Sequence, residues 1–368
     1  MRYINKYLRN LSPYKVASHK VWEVDSEQRN MMLKLDWNEA TIPPAPGVKK
    51  AIQSLAGDES MYFLYPSTHN NELVSSLAKY AEVAEENVQY FASSDSLHEY
   101  LVRMFVMVGD PILILGPTYD NFRLTCEAQG ANVLYYEYEK DFTLNYDSLV
   151  KSIEELSPSL VYLCNPNNPS GNVLHKEYIV TLLDNFSDTV FVIDEAYYEF
   201  YGESMANYVI AYQNLFVTRT FSKAFALANF RAGYLISHAN NINQINKIRN
   251  PKNISTFTQT AIIEVLKDID YMQKFVEEVK LAREEFSVFL ESQDFIKAVY
   301  PSQGNFILVE LTDFDLKVKL FKYLADQNIF VRNLLHSKHL LNTLRITIGT
   351  REQMKLVMSV IEKFGMVK

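Results

Sequence analysis

Four side chains that could bind a cofactor or take part in catalysis follow one another in a distinctive order. Asn168 lies in Asn-Pro-Asn-Asn-Pro-Ser-Gly, and Asp194 ends the strand-like segment Val-Phe-Val-Ile-Asp. Lys223 lies in Thr-Arg-Thr-Phe-Ser-Lys-Ala-Phe, and Arg231 follows eight positions later. A lysine can bind the aldehyde of pyridoxal phosphate covalently, a carboxylate can keep its ring nitrogen protonated, and an arginine can pair with its phosphate. The residue types and their order therefore indicate a pyridoxal phosphate site.

Three of the predicted site residues are expected to be catalytic. An ionised Asp194 beside the ring nitrogen would stabilise the protonated ring, which accepts electrons when a substrate C–H bond breaks. Tyr197 and Asn168 can hydrogen-bond the phenolic oxygen of the ring. Once a substrate amine displaces Lys223, this lysine becomes the local general base that carries a proton between carbon atoms. We therefore expect Lys223, Asp194 and Tyr197 to carry the reaction.

A second group of residues suits the phosphate and the face of the ring. The segment 93–96, Ser-Ser-Asp-Ser, precedes an apolar stretch and has the composition of a helix start, where free amides and the helix dipole favour an anion. Ser222 can donate a hydrogen bond, and Arg231 is a permanent forked cation. Tyr119, in Gly-Pro-Thr-Tyr, can stack on the ring.

Length and composition limit the class of protein. The chain has 368 residues, of which 48% are hydrophobic, which allows a large domain plus a smaller one. The net charge of −8 and the lack of a Lys/Arg block argue against nucleic-acid binding. No apolar run has the length of a signal sequence or a membrane span. Cys126 and Cys164 make no disulfide framework, so we expect a soluble cytoplasmic protein that binds neither nucleic acid nor membrane.

Common nucleotide and metal motifs are absent from the sequence. None of the 11 glycines has the Gly-x-Gly spacing of a dinucleotide site, and Gly-x-x-x-x-Gly-Lys-Ser/Thr does not occur. His336 and His339 are three positions apart, but no Glu or Cys follows at a zinc-like spacing. We therefore expect no metal site.

The order of apolar and amphipathic segments predicts the fold class. Strand-like runs lie at 111–115, 132–138, 160–163, 190–193, 215–218 and 233–236, and helix-length stretches such as 144–156 and 176–186 separate several of them. This alternation predicts an α/β protein with a largely parallel sheet. The later chain is predicted to be helical at 256–292, 314–327 and 351–364 and strand-like at 298–311 and 344–348.

Three parts of the chain are predicted from this pattern. A break at Asn250-Pro251 indicates a boundary between a cofactor domain and a smaller one. We expect residues 1–40 to form an arm that packs on the small domain, 41–248 to form the large cofactor-binding domain, and 249–368 to form the small C-terminal domain.

Ten segments, in order and nearly end to end, carry a resemblance to a known family. They are Leu-Ser-Pro-Tyr14, Lys-Leu-Asp-Trp-Asn38-Glu39, Leu-Tyr65-Pro66, Gly-Asp-Pro-Ile-Leu-Ile-Leu-Gly-Pro-Thr-Tyr119, Asn-Pro-Asn-Asn168-Pro-Ser-Gly, Ile-Asp194-Glu-Ala-Tyr197, Arg-Thr-Phe-Ser-Lys223-Ala-Phe, Pro-Ser-Gln-Gly-Asn305-Phe, Val-Arg332-Asn and Leu-Arg345-Ile-Thr-Ile-Gly-Thr-Arg-Glu. Through this set the chain resembles the fold-type I aminotransferases of the histidinol-phosphate aminotransferase group. The resemblance implies a mostly parallel, seven-stranded-type sheet between helices in the large domain and an α+β C-terminal domain.

The resemblance also implies roles for individual residues around the cofactor. It implies that Lys223 binds pyridoxal phosphate covalently, that Asp194 faces the ring nitrogen, and that Asn168 and Tyr197 face the phenolic oxygen. The residues that it implies around the phosphate and ring are Ser94, Asp95, Tyr119, Thr220, Ser222 and Arg231.

Further roles implied by the resemblance concern the substrates and a second subunit. Tyr65 would reach the phosphate in the neighbouring subunit, which implies a homodimer with shared active sites. Arg345 would bind the α-carboxylate of the amino donor, glutamate, and Asn38 belongs to the same substrate-binding set. Tyr14 and Arg332 would bind the phosphate of the amino acceptor.

Three segments differ from the usual pattern of that family. This chain has Asn-Glu-Ala-Thr, Ser-Ser-Asp-Ser and Leu-Ala-Asn-Phe-Arg where the family usually has Asn-Glu-Asn-Pro, Gly-Ser-Asp-Glu and Leu-Ala-Gly-Leu-Arg. The expected activity is amino transfer from glutamate to a small phosphorylated ketone. The default acceptor is imidazole-acetol phosphate, and dihydroxyacetone phosphate is the rival.

Two other classes of function remain open from the sequence. A pyridoxal phosphate-dependent phospho-amino-acid decarboxylase shares this scaffold and would break a C–C bond at the same cofactor. A non-catalytic regulator that binds the cofactor would need an added DNA-binding module, and no basic segment supplies one.

Overall fold

The computed structural model describes residues 3–9, 11–13, 20–335 and 337–367. Two residues singled out from the sequence, Tyr14 and His336, lie outside this described part. The strands are β1 (Leu33–Leu35), β2 (Val88–Phe91), β3 (Pro111–Gly116), β4 (Asn132–Glu137), β5 (Leu160–Cys164), β6 (Val190–Asp194), β7 (Leu215–Thr220), β8 (Gly233–Ser237), β9 (Ile296–Tyr300), β10 (Phe306–Leu311), β11 (Ile329–Asn333) and β12 (Thr343–Thr347).

The helices alternate with the strands through most of the chain. They are α1 (Ser26–Asn30), α2 (Pro46–Ala56), α3 (Asn71–Ala81), α4 (Ser93–Phe105), α5 (Asn121–Gln129), α6 (Tyr146–Leu156), α7 (Lys176–Asn185), α8 (Tyr198–Tyr201), α9 (Ala239–Asn246), α10 (Thr256–Lys267), α11 (Ile269–Glu291), α12 (Phe314–Asp326) and α13 (Arg351–Val367). Among these described helices, none is long and apolar enough to cross a membrane.

A seven-stranded sheet forms the larger layer, in the order β2-β8-β7-β6-β5-β3-β4. Strands β4, β3, β5, β6 and β7 pair in parallel, and β8 is antiparallel to both of its neighbours. Strands β2, β5, β7 and β8 are buried along their whole length, as expected of a sheet with both faces covered. The predicted α/β class with a largely parallel sheet is confirmed.

A second, five-stranded sheet has the order β1-β11-β12-β10-β9. The short strand β1 pairs in parallel with β11, whereas the other pairs are antiparallel. The arm thus joins the sheet built by the C-terminal part of the chain. Farther upstream, the Asn5 amide donates to the carbonyl of Ala128 in α5, which flanks the first sheet. The three domain boundaries given above remain predictions.

The structure differs from the sequence-based segments in three places. The predicted helical stretch 256–292 is two helices, because the Asp268 side chain accepts a hydrogen bond from the Tyr271 amide and starts α11. The predicted strand-like stretch 298–311 is a hairpin of β9 and β10. Three short strands, β1, β2 and β11, were not predicted, because each contains polar residues and none is a continuous apolar run.

A buried ion pair supports the segment that follows β6. Arg219 Nε lies 2.9 Å from Glu195 Oε2, and both side chains are buried. The second carboxylate oxygen of Glu195 accepts the Met205 amide at 2.7 Å. The Arg219 guanidinium also lies over the Tyr198 ring, 3.6 Å from its centroid. Removing one partner of such a pair costs about 3–5 kcal/mol, so the pair anchors the turn after β6 to β7.

Glu199, in α8, is a second carboxylate in this region. Tyr80 donates to its Oε1 at 3.1 Å, whereas Oε2 is buried without a hydrogen-bond partner among the described residues. Burial raises the pKa of Glu199 to about 7.

We expect Glu199→Gln to reduce the pH dependence of stability. The pKa of Glu199 is raised on folding from 4.5 to about 7, so the folded state binds this proton more tightly. The stabilising contribution is complete below the unfolded pKa and is lost as the pH rises through about 7, by roughly 2–3 kcal/mol. Denaturant unfolding at about pH 5 and about pH 8 should show a smaller difference in the variant. Glu203→Gln, at an exposed position, is the control, and an unchanged difference in Glu199→Gln would contradict the assignment.

Candidate active site

The predicted cofactor residues of the first sheet lie at one of its edges. The carboxyl ends of β3, β5, β6 and β7 meet there because these strands are parallel, and the antiparallel β8 begins at the same edge. Cys164, Asp194 and Thr218 are neighbours in register across β5, β6 and β7. Ligands of open parallel sheets bind outside the carboxyl ends of the strands. This edge is therefore the candidate active site.

Asp194 is a buried carboxylate held by neutral donors. It is 3% exposed, and the Tyr162 hydroxyl donates to its Oδ2 at 2.7 Å. The Thr218 hydroxyl donates to its Oδ1 at 3.3 Å. Burial and the nearby carboxylate raise the pKa of Tyr162, which keeps this phenol a hydrogen-bond donor. A buried carboxylate is stabilised by a nearby opposite charge, which a protonated ring nitrogen next to Asp194 would supply.

A histidine stands behind the aspartate. His98 Nε2 lies 3.1 Å from Thr218 Oγ1 and 3.9 Å from Asp194 Oδ2. The ring contacts those of Phe122 and Tyr162 edge-on. Since Thr218 can accept from His98 while it donates to Asp194, these contacts restrict the rotation of the carboxylate.

Tyr197 connects the first sheet with the second. It is buried, and the Asn38 side-chain amide donates to its hydroxyl at 2.9 Å. Thr347, at the end of β12, donates to Asn38 Oδ1 at 3.1 Å. Asn38 has a φ of +55°, a conformation that asparagine adopts more readily than most residues. Burial raises the pKa of Tyr197, so the phenol is neutral at physiological pH.

Lys223 is inside the cluster, and its amine is held by a main-chain carbonyl. Lys223 Nζ donates to the backbone carbonyl of Trp37 at 2.8 Å and lies 5.8 Å from the centroid of the Tyr197 ring. Burial, with the positive charge of Arg345 next in importance, lowers the pKa of Lys223 to about 8. A larger fraction of this amine is therefore neutral near pH 7 than for an exposed lysine, as a nucleophile requires.

The first turn of α4 packs closely against the start of β8, and this contact depends on a glycine. A Cβ at Gly233 would lie 2.6 Å from the amide nitrogen of Ser94. Only glycine therefore allows the start of β8 to approach the first turn of α4 this closely. Thr220, the register partner of Gly233 on β7, accepts a hydrogen bond from the Ser222 amide at 3.1 Å, and the two hydroxyl oxygens are 3.0 Å apart. Backbone amides and hydroxyls around a helix N-terminus suit a phosphate.

Asp95 ties the remaining predicted residues to the first turn of α4. The Tyr119 hydroxyl donates to Asp95 Oδ1 at 2.9 Å, and the Asn121 side chain donates to the same oxygen at 3.1 Å. Arg231 Nη2 lies 3.5 Å from Asp95 Oδ2, and the Arg231 side chain is 53% exposed. The structure thus brings Asp95, Tyr119 and Arg231 together, with the arginine at the solvent side.

Arg345 of β12 reaches across to the first sheet. Its Nη1 donates to Asn168 Oδ1 at 2.5 Å, and its Nη2 donates to the backbone carbonyl of Asp36 at 2.5 Å. The side chain is buried. Arg345 therefore fixes the predicted ring-contacting asparagine relative to the second sheet.

A cavity of about 910 Å³ opens beside these residues. It is lined by Tyr119, Asn168, Arg332 and Arg345, together with Leu334, Leu335 and Ser337 of the loop after β11. Arg332 and Arg345 are directly opposed in the β11–β12 register, so their side chains leave the same face of the sheet. Two cations thus face one cavity next to the predicted cofactor position.

Tyr65 lies apart from this cluster. Its side chain is 78% exposed, and Lys252 Nζ lies 4.1 Å from the centroid of its ring. No contact of Tyr65 with the predicted cofactor residues is found among the described residues. Tyr14 is not among the residues that the structure describes.

Several residues of the site were missed by the sequence analysis. These are Trp37, whose carbonyl accepts from Lys223, and the three neighbours of Asp194, namely His98, Tyr162 and Thr218. Thr218 could have been found, because parallel pairing of the predicted strands at 190–193 and 215–218 places it beside Asp194. The others had no signal, since a tyrosine inside a strand or a histidine on a helix is usually core.

The chain belongs to a known family, since the model for aminotransferases of class I and II matches residues 30–361. A dihydroxyacetone phosphate transaminase of Campylobacter jejuni is 41% identical over 364 residues, 98% of this chain and 97% of that protein. A histidinol-phosphate aminotransferase of Ruminiclostridium cellulolyticum is 30% identical over 357 residues, 96% of each chain. The structure of histidinol-phosphate aminotransferase from Sinorhizobium meliloti with pyridoxal phosphate has a TM-score of 0.86 and 25% identity, and covers 99% of this chain and 100% of that one.

These similarities confirm the enzyme class and the cofactor predicted from the sequence. The protein is a fold-type I, pyridoxal phosphate-dependent aminotransferase. The residues present fit this cofactor, because a buried carboxylate, a lysine with a lowered pKa and a helix N-terminus lie at the same edge of the sheet.

We expect cofactor uptake to depend on the neutral form of Lys223. Only an uncharged amine attacks an aldehyde, so the rate at which cofactor-free protein takes up pyridoxal phosphate should rise with pH through about 8. Rapid-mixing absorbance would measure this rate. Lys223→Ala should not form the yellow, covalently linked protein and should lose turnover. A rate that rises only near 10.5, the ordinary value for lysine, would contradict the lowered pKa.

Proposed function

We propose that Lys223, Asp194 and Tyr197 are the catalytic residues of this aminotransferase. Bound pyridoxal phosphate supplies an electron sink for the carbanion that forms when a substrate proton leaves. Asp194 holds the ring cationic through its charge, and Tyr197 with Asn168 orients the ring through the phenolic oxygen. The Lys223 amine removes the proton from one carbon and returns it to another. This assignment is supported by the surroundings of Asp194, which is buried and accepts hydrogen bonds from two neutral hydroxyls.

The remaining proposed cofactor contacts lie around the first turn of α4. Ser94 and Asp95 lie in the first turn of α4, where we propose that the Ser94 backbone amide donates to the phosphate. Thr220 and Ser222 add hydroxyl donors. We further propose that Arg231 pairs with the phosphate and that Tyr119 stacks on the ring, since Asp95 holds both.

The proposed reaction moves an amino group from glutamate to a small phosphorylated ketone. The observation that carries this proposal is the pair of arginines on β11 and β12 that face one cavity. Arg345 would bind the α-carboxylate of glutamate, next to Asn38 and Asn168, and Arg332 would bind the acceptor phosphate together with Tyr14. Because the two arginines are directly opposed on adjacent strands, the glutamate carboxylate and the acceptor phosphate would bind at neighbouring points of the same cavity, each in its own half-reaction.

Two phosphorylated ketones are candidates for the acceptor. Dihydroxyacetone phosphate is favoured by the 41% identity to the Campylobacter jejuni transaminase. Imidazole-acetol phosphate is the alternative, because histidinol-phosphate aminotransferases are also related to this chain. We propose dihydroxyacetone phosphate first, because the identity to that transaminase is the higher of the two, 41% against 30%.

We also propose a homodimer with shared active sites. The segment 61–65 exposes Tyr62, Phe63, Leu64 and Tyr65, which are 57–78% accessible in the single chain. A contiguous exposed apolar segment of this kind is typical of a protein interface. In a dimer, Tyr65 would reach the cofactor phosphate of the partner. The two buried free cysteines support the proposed reducing, cytoplasmic location.

We expect Arg332→Ala to weaken the binding of the phosphorylated acceptor without weakening the binding of glutamate. Loss of one partner of a charge-assisted contact should lower kcat/KM for the acceptor by a factor that corresponds to roughly 2–4 kcal/mol of lost transition-state stabilisation. The glutamate half-reaction, followed in a single turnover, should change little. Arg123→Ala is a useful comparison, because this cavity arginine is already paired with Asp120 and Glu127. Unchanged kinetics in Arg332→Ala would contradict the phosphate role.

A glutamate-coupled screen of phosphorylated ketones tests the function directly. The two acceptors named above should be compared by the 2-oxoglutarate that each releases, with unphosphorylated dihydroxyacetone as the control. Carbon dioxide release from phospho-amino acids, in parallel, tests the decarboxylase alternative. Carbon dioxide without 2-oxoglutarate would overturn the proposed reaction.

Mixing two inactive variants tests the shared site. We expect Lys223→Ala and Tyr65→Ala, unfolded and refolded together, to recover activity above either variant alone. In a mixed dimer, the subunit with an intact Lys223 would receive an intact Tyr65 from its partner, so that one complete site would form. If Tyr65 served its own chain, the mixed dimer would contain no complete site and activity would not recover. Tyr3→Ala, at an exposed position, replaces Tyr65→Ala in the control mixture.

A further inference from the structure

Lys317 is a buried cation outside the catalytic cluster. It lies on α12, and its side chain is fully buried. No carboxylate among the described residues pairs with it, and burial lowers the pKa of Lys317 to about 8. Burying an amine in this way is costly unless specific acceptors offset the cost. Its hydrogen bonds are therefore informative.

Both acceptors of Lys317 belong to one loop. Its Nζ donates to the backbone carbonyl of Leu341 at 2.8 Å and lies 3.5 Å from the carbonyl of Leu334. Leu334 directly follows β11, and Leu341 lies two residues before β12. A single ammonium group thus ties the two ends of the β11–β12 loop, residues 334–341, to α12.

This loop forms a wall of the active-site cavity. Leu334, Leu335 and Ser337 line the cavity next to Arg332. At the far side of the loop, His339 Nε2 lies 3.4 Å from Glu137 Oε2 on β4, the edge strand of the first sheet. The loop therefore bridges the two sheets over the part of the cavity that contains Arg332.

We propose that Lys317 is a positioning residue for the amino acceptor, because it clamps the loop that sets the width of the cavity beside Arg332. The inference rests on the proposed function, in which Arg332 binds the acceptor phosphate. Without the clamp, the two carbonyls lose their donor and the cavity wall moves away from Arg332. Arg345 is held by Asn168 and Asp36, so the binding of the donor carboxylate does not depend on this loop.

The test compares Lys317→Met with Lys319→Met in the holoenzyme. Methionine replaces the apolar stem of lysine without its charge or donors, and Lys319 is exposed on the same helix. We expect Lys317→Met to raise KM for dihydroxyacetone phosphate about 10-fold, as a displaced binding group does, with kcat and the glutamate half-reaction within about 2-fold. Hydrogen–deuterium exchange should become faster in residues 334–341, and Lys319→Met should match the wild type in every measurement.

The outcomes separate failure of the clamp from failure of the proposed function. Unchanged exchange in 334–341 in Lys317→Met overturns the clamp, whatever the substrate is. Faster exchange with an unchanged KM for the acceptor overturns the positioning role. Normal acceptor kinetics in Arg332→Ala would instead reject the proposed function. If Lys317→Met does not fold, Lys317→Gln, which is shorter and can reach one carbonyl at most, gives the same readouts, and wild-type behaviour there overturns the proposal.

Discussion

The buried carboxylate of Asp194 is the constraint on which the rest of the site depends. It ends β6 inside the protein, where it receives hydrogen bonds from Tyr162 and Thr218. A carboxylate in such a place is stable in its charged form only with several donors or an opposite charge. The hydroxyls supply the donors, and in the proposed site a protonated ring nitrogen of the cofactor would supply the charge. Asp194 therefore couples the folding of the parallel sheet to the chemistry at its edge.

The second sheet completes the site through a few contacts across the boundary between the sheets. Asn38, whose backbone amide donates to Thr347, places its side chain on the Tyr197 hydroxyl. Arg345 reaches Asn168 from β12. Both ring-contacting residues proposed from the first sheet are thus held by residues of the second. The position of the cofactor ring is therefore sensitive to how the two sheets pack.

The class of fold and much of the candidate active site could be predicted from the sequence, for physical reasons. Buried parallel strands are nearly continuous apolar runs, so β3, β5, β6, β7 and β8 could be recognised without knowledge of their partners. Asp194 and Lys223 lie in or beside such runs, and their placement at one edge follows from parallel pairing. The role of Gly233 could not be predicted, because it arises from contact with Ser94, which is distant in sequence. The same holds for Trp37, which contributes a backbone carbonyl that no side-chain motif marks.

Acceptor choice is less accessible from sequence because it depends on the cavity wall rather than on the cofactor motifs. An enzyme for either phosphorylated ketone needs the same lysine, aspartate and anion site, so these residues cannot distinguish the two. In the proposed function, the surface that distinguishes them is formed by β11, β12 and the loop between them, where Arg332 precedes a segment that Lys317 holds through its main-chain carbonyls. Since Lys317 acts on backbone atoms, the side chains of that loop could change while its position is maintained. Such an arrangement allows the shape of the acceptor end to vary without disturbing the buried charge at Asp194.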